Sequence, residues 1–290
     1  MFIDTHVHLW FEDYKDDLDQ VIKRANENEV AKFVVPGTDI ESSHKAIELA
    51  KKYGGVIYPA VGVHPEEIVG SKNSYEETPP AFGVPTRPLA GSPVEESPLA
   101  QLRDLLSGGD LMRESPHVVA IGEIGTDAST EELKNCMGAQ KELFKTQCEL
   151  AIEHDLPVIV HTRESLSEAL LVLDSLPKMP RGQFHCFSHD EEGVKEVLKR
   201  GFYVSFCGNI SWSKRVAKLV SLVPDDKLLL ETDSPLMVPR DKKGEPIGGS
   251  SRNEPGNVVY LAKLIAELRG QSIEKIAEIT TENATRLFHL

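Results

Sequence analysis

The sequence predicts an α/β fold and, within that class, a closed (β/α)8 TIM barrel. Three observations carry this: short apolar runs, amphipathic segments between them, and polar residues of metal-ligand type where the runs stop. The runs are 2–5, 32–36, 56–63, 118–121, 157–160, 182–184, 202–206 and 227–230. Most are built from Val, Ile, Leu and Phe without polar alternation, as expected of strands covered on both faces in a parallel sheet. Segments 16–28, 42–52, 131–154, 165–176 and 191–200 read as helices. Leu166, Ala169, Leu170 and Leu173 show the spacing of one apolar helix face. Two more helices, 257–269 and 272–288, end the chain. Repeated strand–helix units demand a parallel sheet, and eight strand candidates favour a barrel over an open doubly wound sheet. Such barrels commonly take about 250 residues, so the 290 residues here fit one domain, 1–290, with insertions.

One insertion breaks the rhythm. Residues 66–98 are rich in Pro, Ser, Gly and Glu, with Pro79, Pro80, Pro85, Pro88, Pro93 and Pro98, and no helix can run through that spacing. It follows the third strand and so leaves from the face where barrels place their loops. It reads either as a nonessential mobile insertion or as a lid that selects substrate. A second irregular stretch, 235–255, follows the last strand.

Composition narrows the functional classes. The formal net charge of −14 repels polyphosphates, and no Lys/Arg run offers a broad nucleic-acid footprint. A nucleic-acid substrate would therefore need local capture by metal ions and a few arginines. Cys136, Cys148, Cys186 and Cys207 form no C-x-x-C pair. No segment has the basic-then-apolar pattern of a secretory signal, and no apolar stretch reaches the roughly 20 residues of a membrane span. A reducing compartment, cytoplasmic or nuclear, with free thiols is the expectation, without membrane attachment or an obligate protein partner.

The strand ends carry the chemistry. His6 and His8 are two apart where the first strand stops, so their side chains share a face. His64 closes the third strand, Glu123 and Asp127 the fourth, His161 and Arg163 the fifth, His185 the sixth, and Glu231 and Asp233 the eighth. In a barrel these positions ring one mouth, where barrel enzymes do their chemistry. Imidazole with carboxylate suits Zn²⁺, Mn²⁺ or Fe²⁺, or Mg²⁺ if carboxylate and water dominate. Four histidines with one Glu and one Asp exceed the needs of one open site. Two divalent ions about 3.5–4 Å apart would use them all, lowering the pKa of water and neutralising phosphoryl or carbonyl charge.

The blocks Asp4-Thr5-His6-Val7-His8-Leu9, Gly62-Val63-His64-Pro65, Ile121-Gly122-Glu123-Ile124-Gly125-x-Asp127, His161-x-Arg163-Glu164, His185-Cys186-Phe187-Ser188, Glu231-Thr232-Asp233-x-Pro235 and Arg252-Asn253-Glu254-Pro255 resemble the signature of the TatD-type metal-dependent deoxyribonucleases, a family of the amidohydrolase superfamily. Asn283-Ala284-x-Arg286-Leu287-Phe288 extends the likeness to the last helix, so it spans nearly the whole chain except the Pro-rich insertion. The resemblance implies that His6 and His8 bind a first metal with Asp233, that Glu123 bridges two ions, and that His161 and His185 complete the second. It further implies that Asp233 is the general base, that His64 and Arg163 hold the scissile phosphate, and that Asp127 and Glu231 orient ligand rings or the base. Arg252 and Asn253 fall in a loop the family places near the mouth, as substrate contacts. Glu66 stands where many relatives have a further His; Thr126 and Ala128 replace a Leu and an aromatic; the loop before Arg252 is long. These departures touch substrate choice rather than the ligands.

Rival readings remain at single residues. Arg163 would serve as well in a salt bridge with Glu164 or Glu123, and Arg252 and Asn253 as caps of the following helix. Cys186 reads as a packing residue beside the site, and His44, His117, His154, His189 and His289 as surface histidines. The implied activity is hydrolysis of DNA phosphodiester bonds, as an exonuclease acting on single-stranded ends with Mg²⁺, Mn²⁺ or Zn²⁺. The alternatives are a hydrolase of a small-molecule amide, lactone or ester, and a non-catalytic metal-binding barrel.

Overall fold

The computed structural model describes residues 1–70, 97–107 and 117–290; most of the predicted 66–98 insertion lies outside them. Eight parallel strands pair in sequence order: β1 (Phe2–Asp4), β2 (Val30–Pro36), β3 (Ile57–Val61), β4 (Ala120–Asp127), β5 (Val158–Arg163), β6 (Gly182–Phe184), β7 (Tyr203–Phe206) and β8 (Leu228–Leu230). The seam between β8 and β1 is joined by the Thr5 amide and hydroxyl, both donating to the Leu230 carbonyl at 3.1 Å. This is the TIM barrel that the alternation of runs and helices predicts.

The helices follow the strands. They are α1 (Leu18–Glu27), α2 (Ile40–Lys52), the single turn α3 (Glu67–Gly70), α4 (Pro98–Ser107), α5 (Glu131–Asn135), α6 (Met137–Glu153), α7 (Leu166–Ser175), α8 (Glu191–Lys199), α9 (Lys214–Leu219), α10 (Val258–Arg269) and α11 (Ile273–Phe288). The segment expected as one helix over 131–154 is two, broken at Cys136. The break lets the Gln140 amide reach back to the Leu133 carbonyl (2.8 Å) and to the main chain of Asp127. The six residues of α9 are too short a window for periodicity to stand out. Among the described residues no helix is long and apolar enough to cross a membrane.

Alternating strand residues split the core in two. Phe33, Val35, Val158, Val160, Phe184, Val204 and their like face the helices. Ile3, Val34, Ala60, Ile159 and Leu229 face inward, where Leu287 and Phe288 of α11 pack on them. Each fully buried side chain of this size stabilises by about 1.5–3 kcal/mol. The barrel interior is thus filled and one end is covered by α11, which leaves the carboxyl ends of the strands for chemistry.

The fourth and fifth strands run on beyond their apolar cores. The β4–β5 ladder shifts register between Ile121 and Ile124, then continues to Asp127 opposite Arg163. Glu123, Asp127 and His161 therefore lie within strands, not in the loops after them. Two glycines permit this. A Cβ at Gly122 would come within 2.6 Å of the Ile159 Cβ, and Gly125 has φ +148° with its α-carbon against the His161 carbonyl.

Candidate metal centre

Glu123 is the hub of the mouth. Its carboxylate is buried (4% exposed) and its two oxygens face different imidazole pairs. Oε2 lies 3.3 Å from His6 Nε2 and 3.6 Å from His8 Nε2. Oε1 lies 2.9 Å from both His161 Nδ1 and His185 Nε2, and 3.3 Å from His64 Nε2. Asp233 closes the first side, its Oδ1 at 3.7 Å from His6 Nε2 and 3.4 Å from His8 Nε2. The His6 ring stacks on His185 with centroids 3.9 Å apart and planes 7° from parallel. Residues from β1, β4, β5, β6 and β8 thus meet within one buried volume.

The donor set fits a divalent cation. His6 Nε2 and His8 Nε2 point at each other across 3.2 Å, and His161 Nδ1 and His185 Nε2 across 3.3 Å. Without an ion each facing pair can share a single N–H···N hydrogen bond, whereas lone pairs from both nitrogens would converge on one cation. Compact sets form at His6, His8 and Asp233, at His6, His185 and Glu231, and at His64, Glu123 and His161. Electrostatics agree. Burial alone would raise Glu123, but His185, His64 and His6 outweigh it and hold the carboxyl well below its usual range. Burial would also lower His185, yet Glu123 and Glu231 carry it well above the ordinary value. Protons here stand where a cation would balance the same carboxylates.

Asp127 and Glu231 orient rings. Asp127 Oδ2 is 3.0 Å from His161 Nε2, which turns Nδ1 toward Glu123. Glu231 Oε1 lies 3.7 Å from His185 Nδ1 and accepts from the Cys186 amide at 2.5 Å; its Oε2 accepts from the Ser205 hydroxyl at 2.7 Å. His64 Nδ1 accepts from the Glu66 amide at 3.3 Å, so a neutral ring carries its proton on Nε2, aimed into the site. Arg163 is exposed at the end of β5, and its guanidinium makes no hydrogen bond or ion pair among the described residues.

Arg252 and Asn253 sit differently. The Arg252 guanidinium contacts both Asp17 oxygens at 2.8 Å, the Asp13 carbonyl at 2.6 Å and Glu254 at 2.8 Å, and lies over the Tyr14 ring. Asn253 is fully buried; its amide donates to the Thr232 and Met237 carbonyls and its oxygen accepts from Glu254 and Asn257. Both brace the loop after β8 that presents Asp233.

Several braces escaped the sequence reading. Gln147 clasps Val63 through two hydrogen bonds, 2.8 and 3.0 Å, beside His64. Gln140 does the same for Asp127. Their seven-residue spacing within the apolar face of α6 was the available signal. Asp4 accepts from the Thr232 amide and hydroxyl (3.0 and 2.5 Å), which ties β1 to the loop bearing Asp233. His189, expected at the surface, is half-buried with Nε2 at 2.9 Å from the Thr162 hydroxyl next to His161. A cleft of ≈ 570 Å³ between Met1, Glu29 and α11 lies at the opposite end, lined by none of these residues.

Comparison with known proteins agrees with the geometry. A family model described as TatD related DNase matches residues 3–289. The chain is 35% identical over 295 residues to the uncharacterized metal-dependent hydrolase YabD of Bacillus subtilis, covering all of both chains. It is 32% identical over 293 residues to the 3'-5' ssDNA/RNA exonuclease TatD of Erwinia tasmaniensis, covering 99% of each. The crystal structure of the TatD homologue YjjV from Escherichia coli superposes with TM-score 0.80 at 27% identity, over 100% of this chain and 98% of that one. An organophosphorus hydrolase of Deinococcus radiodurans shares the fold alone, at 15% identity and TM-score 0.61. The chain belongs to the TatD-related DNase family of metal-dependent hydrolases.

Proposed function

We propose that this protein hydrolyses phosphodiester bonds of DNA as an exonuclease, taking single-stranded ends into the barrel mouth. The observation that carries this is the split carriage of Glu123, with each oxygen facing its own imidazole pair. On this reading His6, His8 and Asp233 would hold one divalent ion and His161 and His185 a second, with Glu123 offering one oxygen toward each set. Mg²⁺, Mn²⁺ and Zn²⁺ are the candidate ions; bound, they would acidify a water and offset charge on the phosphoryl oxygens. Asp233 takes the proton from the attacking water. His64 donates from Nε2 and Arg163 from its guanidinium to the scissile phosphate. Asp127 and Glu231 keep the His161 and His185 rings turned inward. Arg252 and Asn253, whose polar atoms are already partnered, act by fixing the loop of Asp233. The chain works as one hydrolase unit over 1–290, with 66–98 as an insertion in the sequence after the third strand, in the cytoplasm and without an obligate protein partner.

The test is a panel of 5'- and 3'-labelled single-stranded DNA, RNA and small esters, amides and lactones, with each cation supplied. Stepwise loss of nucleotides from one DNA end, abolished in Asp233→Asn and kept in the surface control Lys195→Ala, is the expected result. Nucleic acids left intact with all three ions, beside turnover of an ester or lactone, would move the activity to small molecules.

A further inference from the structure

Cys186 stands two residues beyond the end of β6 and Cys207 one residue beyond the end of the neighbouring β7. β6 and β7 pair through Gln183–Tyr203 and Phe184–Val204, and the ladder is extended by the Phe187 amide donating to the Ser205 carbonyl. The two side chains meet between the strands with their sulfurs 2.7 Å apart, as free thiols. Both sulfurs and an Asp233 carboxylate oxygen lie within 4.8 Å of one another. The Cys207 sulfur and burial hold the Cys186 thiol well above its ordinary range, and burial raises Cys207. The two residues differ in burial, Cys186 partly buried at the mouth and Cys207 fully buried. That asymmetry suits a dithiol in which one sulfur meets an oxidant and the other resolves the product.

We propose that Cys186 and Cys207 are an oxidisable dithiol, closed to a disulfide by hydroperoxides, and that closure weakens the metal centre. The Cys186 sulfur attacks the peroxide oxygen; the O–O bond breaks, alcohol or water leaves, and Cys186 becomes a sulfenic acid. The Cys207 sulfur then attacks the Cys186 sulfur, the S–O bond breaks, and water leaves with the Cys207 proton. Two thiols are oxidised by two electrons and one peroxide is reduced.

The route to the metal centre is covalent and short. Cys186 follows His185 directly and sits at φ +43°, in the left-handed region. Its amide is held by Glu231, the carboxylate beside the His185 ring. Closing the gap from 2.7 Å to the roughly 2.05 Å of a disulfide draws in Cys186, the residue that links His185 to the hydrogen bond with Glu231. Cys136 and Cys148, buried on α5–α6, have no thiol partner among the described residues and take no part.

The inference rests on the reading of the mouth as a metal centre, so its readout is kept apart from turnover. The metal-loaded protein is treated with hydrogen peroxide, denatured, alkylated and mapped by peptide mass, with bound metal measured on the same sample. Free thiols should fall from four to two, with a Cys186–Cys207 cross-link. Metal affinity should drop roughly tenfold or more, the scale for losing a group that orients a ligand, and dithiothreitol should restore it. Cys207→Ser should form no cross-link and keep its thiol count at the remaining sites, apart from Cys186. Cys186 found only as isolated sulfenic or higher acids in the wild type, or a cross-linked protein with undiminished metal affinity, would overturn the proposal. Neither result depends on whether DNA is the substrate.

Discussion

The two sides of the Glu123 carboxylate are built by different means. His161 is hydrogen-bonded from behind by Asp127 at 3.0 Å, and Glu231 stands behind His185 at 3.7 Å, near enough for charge but beyond hydrogen-bond distance. His6 and His8 have no carboxylate behind them, and their Nδ1 atoms, like that of His185, are buried without a hydrogen-bond partner among the described residues. Those rings are held by packing, His6 stacked on His185 and His8 against Trp10 and Phe11. Carboxylate support fixes a ring's tautomer and raises its basicity, whereas packing fixes only its plane. His161 is thus fixed by a hydrogen bond before any ion arrives, His185 by the nearby Glu231 charge and its stack on His6, and the His6–His8 side by its neighbours' shapes.

The largest test of this contrast is Glu123→Gln, which removes the one group that serves both sides. DNA hydrolysis should fall by more than about 100-fold, the upper end for loss of a merely supporting residue, and elemental analysis should show both ions weakened. Retention of both at wild-type affinity would end the bridging assignment.

Asp127→Asn and Glu231→Gln should separate the halves. Each is expected to cost about 10–100-fold in metal affinity or activity, confined to the His161–His185 side. Calorimetric titration should then show one strong and one weakened binding event; equal weakening of both would make the two sides one unit.

At the rim, Arg163 and Arg252 differ in the same spirit, one without a partner among the described residues and one fully engaged. Arg163→Ala should lower kcat/KM roughly 10–100-fold, as losing a charge-assisted hydrogen bond of about 1.5–3 kcal/mol implies. Arg252→Ala should act mainly on thermal stability, with turnover changed only about twofold, since its ion pairs are part-exposed. The reverse pattern would exchange their roles.

The smallest effect concerns pH. In the metal-free protein, burial opposes the charge on His185 but Glu123 and Glu231 prevail, so its folded pKa is raised. Such a group stabilises fully below its unfolded value near about 6.5, and that contribution fades as pH climbs through the raised value. Glu123, depressed in the fold despite burial, stabilises above its unfolded value near about 4.3 and loses this as pH falls. The melting temperature with chelator present should therefore decline by a few degrees above about pH 6.5. His185→Ala should flatten that decline, and added metal should reverse it, because protons and cations compete for the same nitrogens. A decline unchanged in His185→Ala would place its origin elsewhere.

Much of the molecule could be read from order along the chain. The eight strands are local events: the 227–230 run ends in three leucines because both faces are covered, and the structure has Leu228–Leu230 as β8. His6 and His8 lie beyond the end of β1 at Asp4, so the two-residue strand period that singled them out does not set their directions; they are brought together by the loop, with Nε2 atoms 3.2 Å apart. The extension of β4 through Glu123 to Asp127 was not legible, because Gly122 and Gly125 look like breakers until β5 lies beside them. Gln140, Gln147 and Asp4 were passed over because a buried polar residue has no meaning until its partner is known.

The amino-acid order by itself determined the barrel, the ring of ligand residues at strand ends and the family. Tertiary structure alone decided which oxygen of Glu123 faces which histidines, that Arg252 is spent on Asp17 and Glu254, and that Cys186 meets Cys207. The physical reason is range. Periodicity records each residue's exposure to its own helix or sheet, while these contacts join positions up to 235 residues apart, whose meeting depends on closure and strand register.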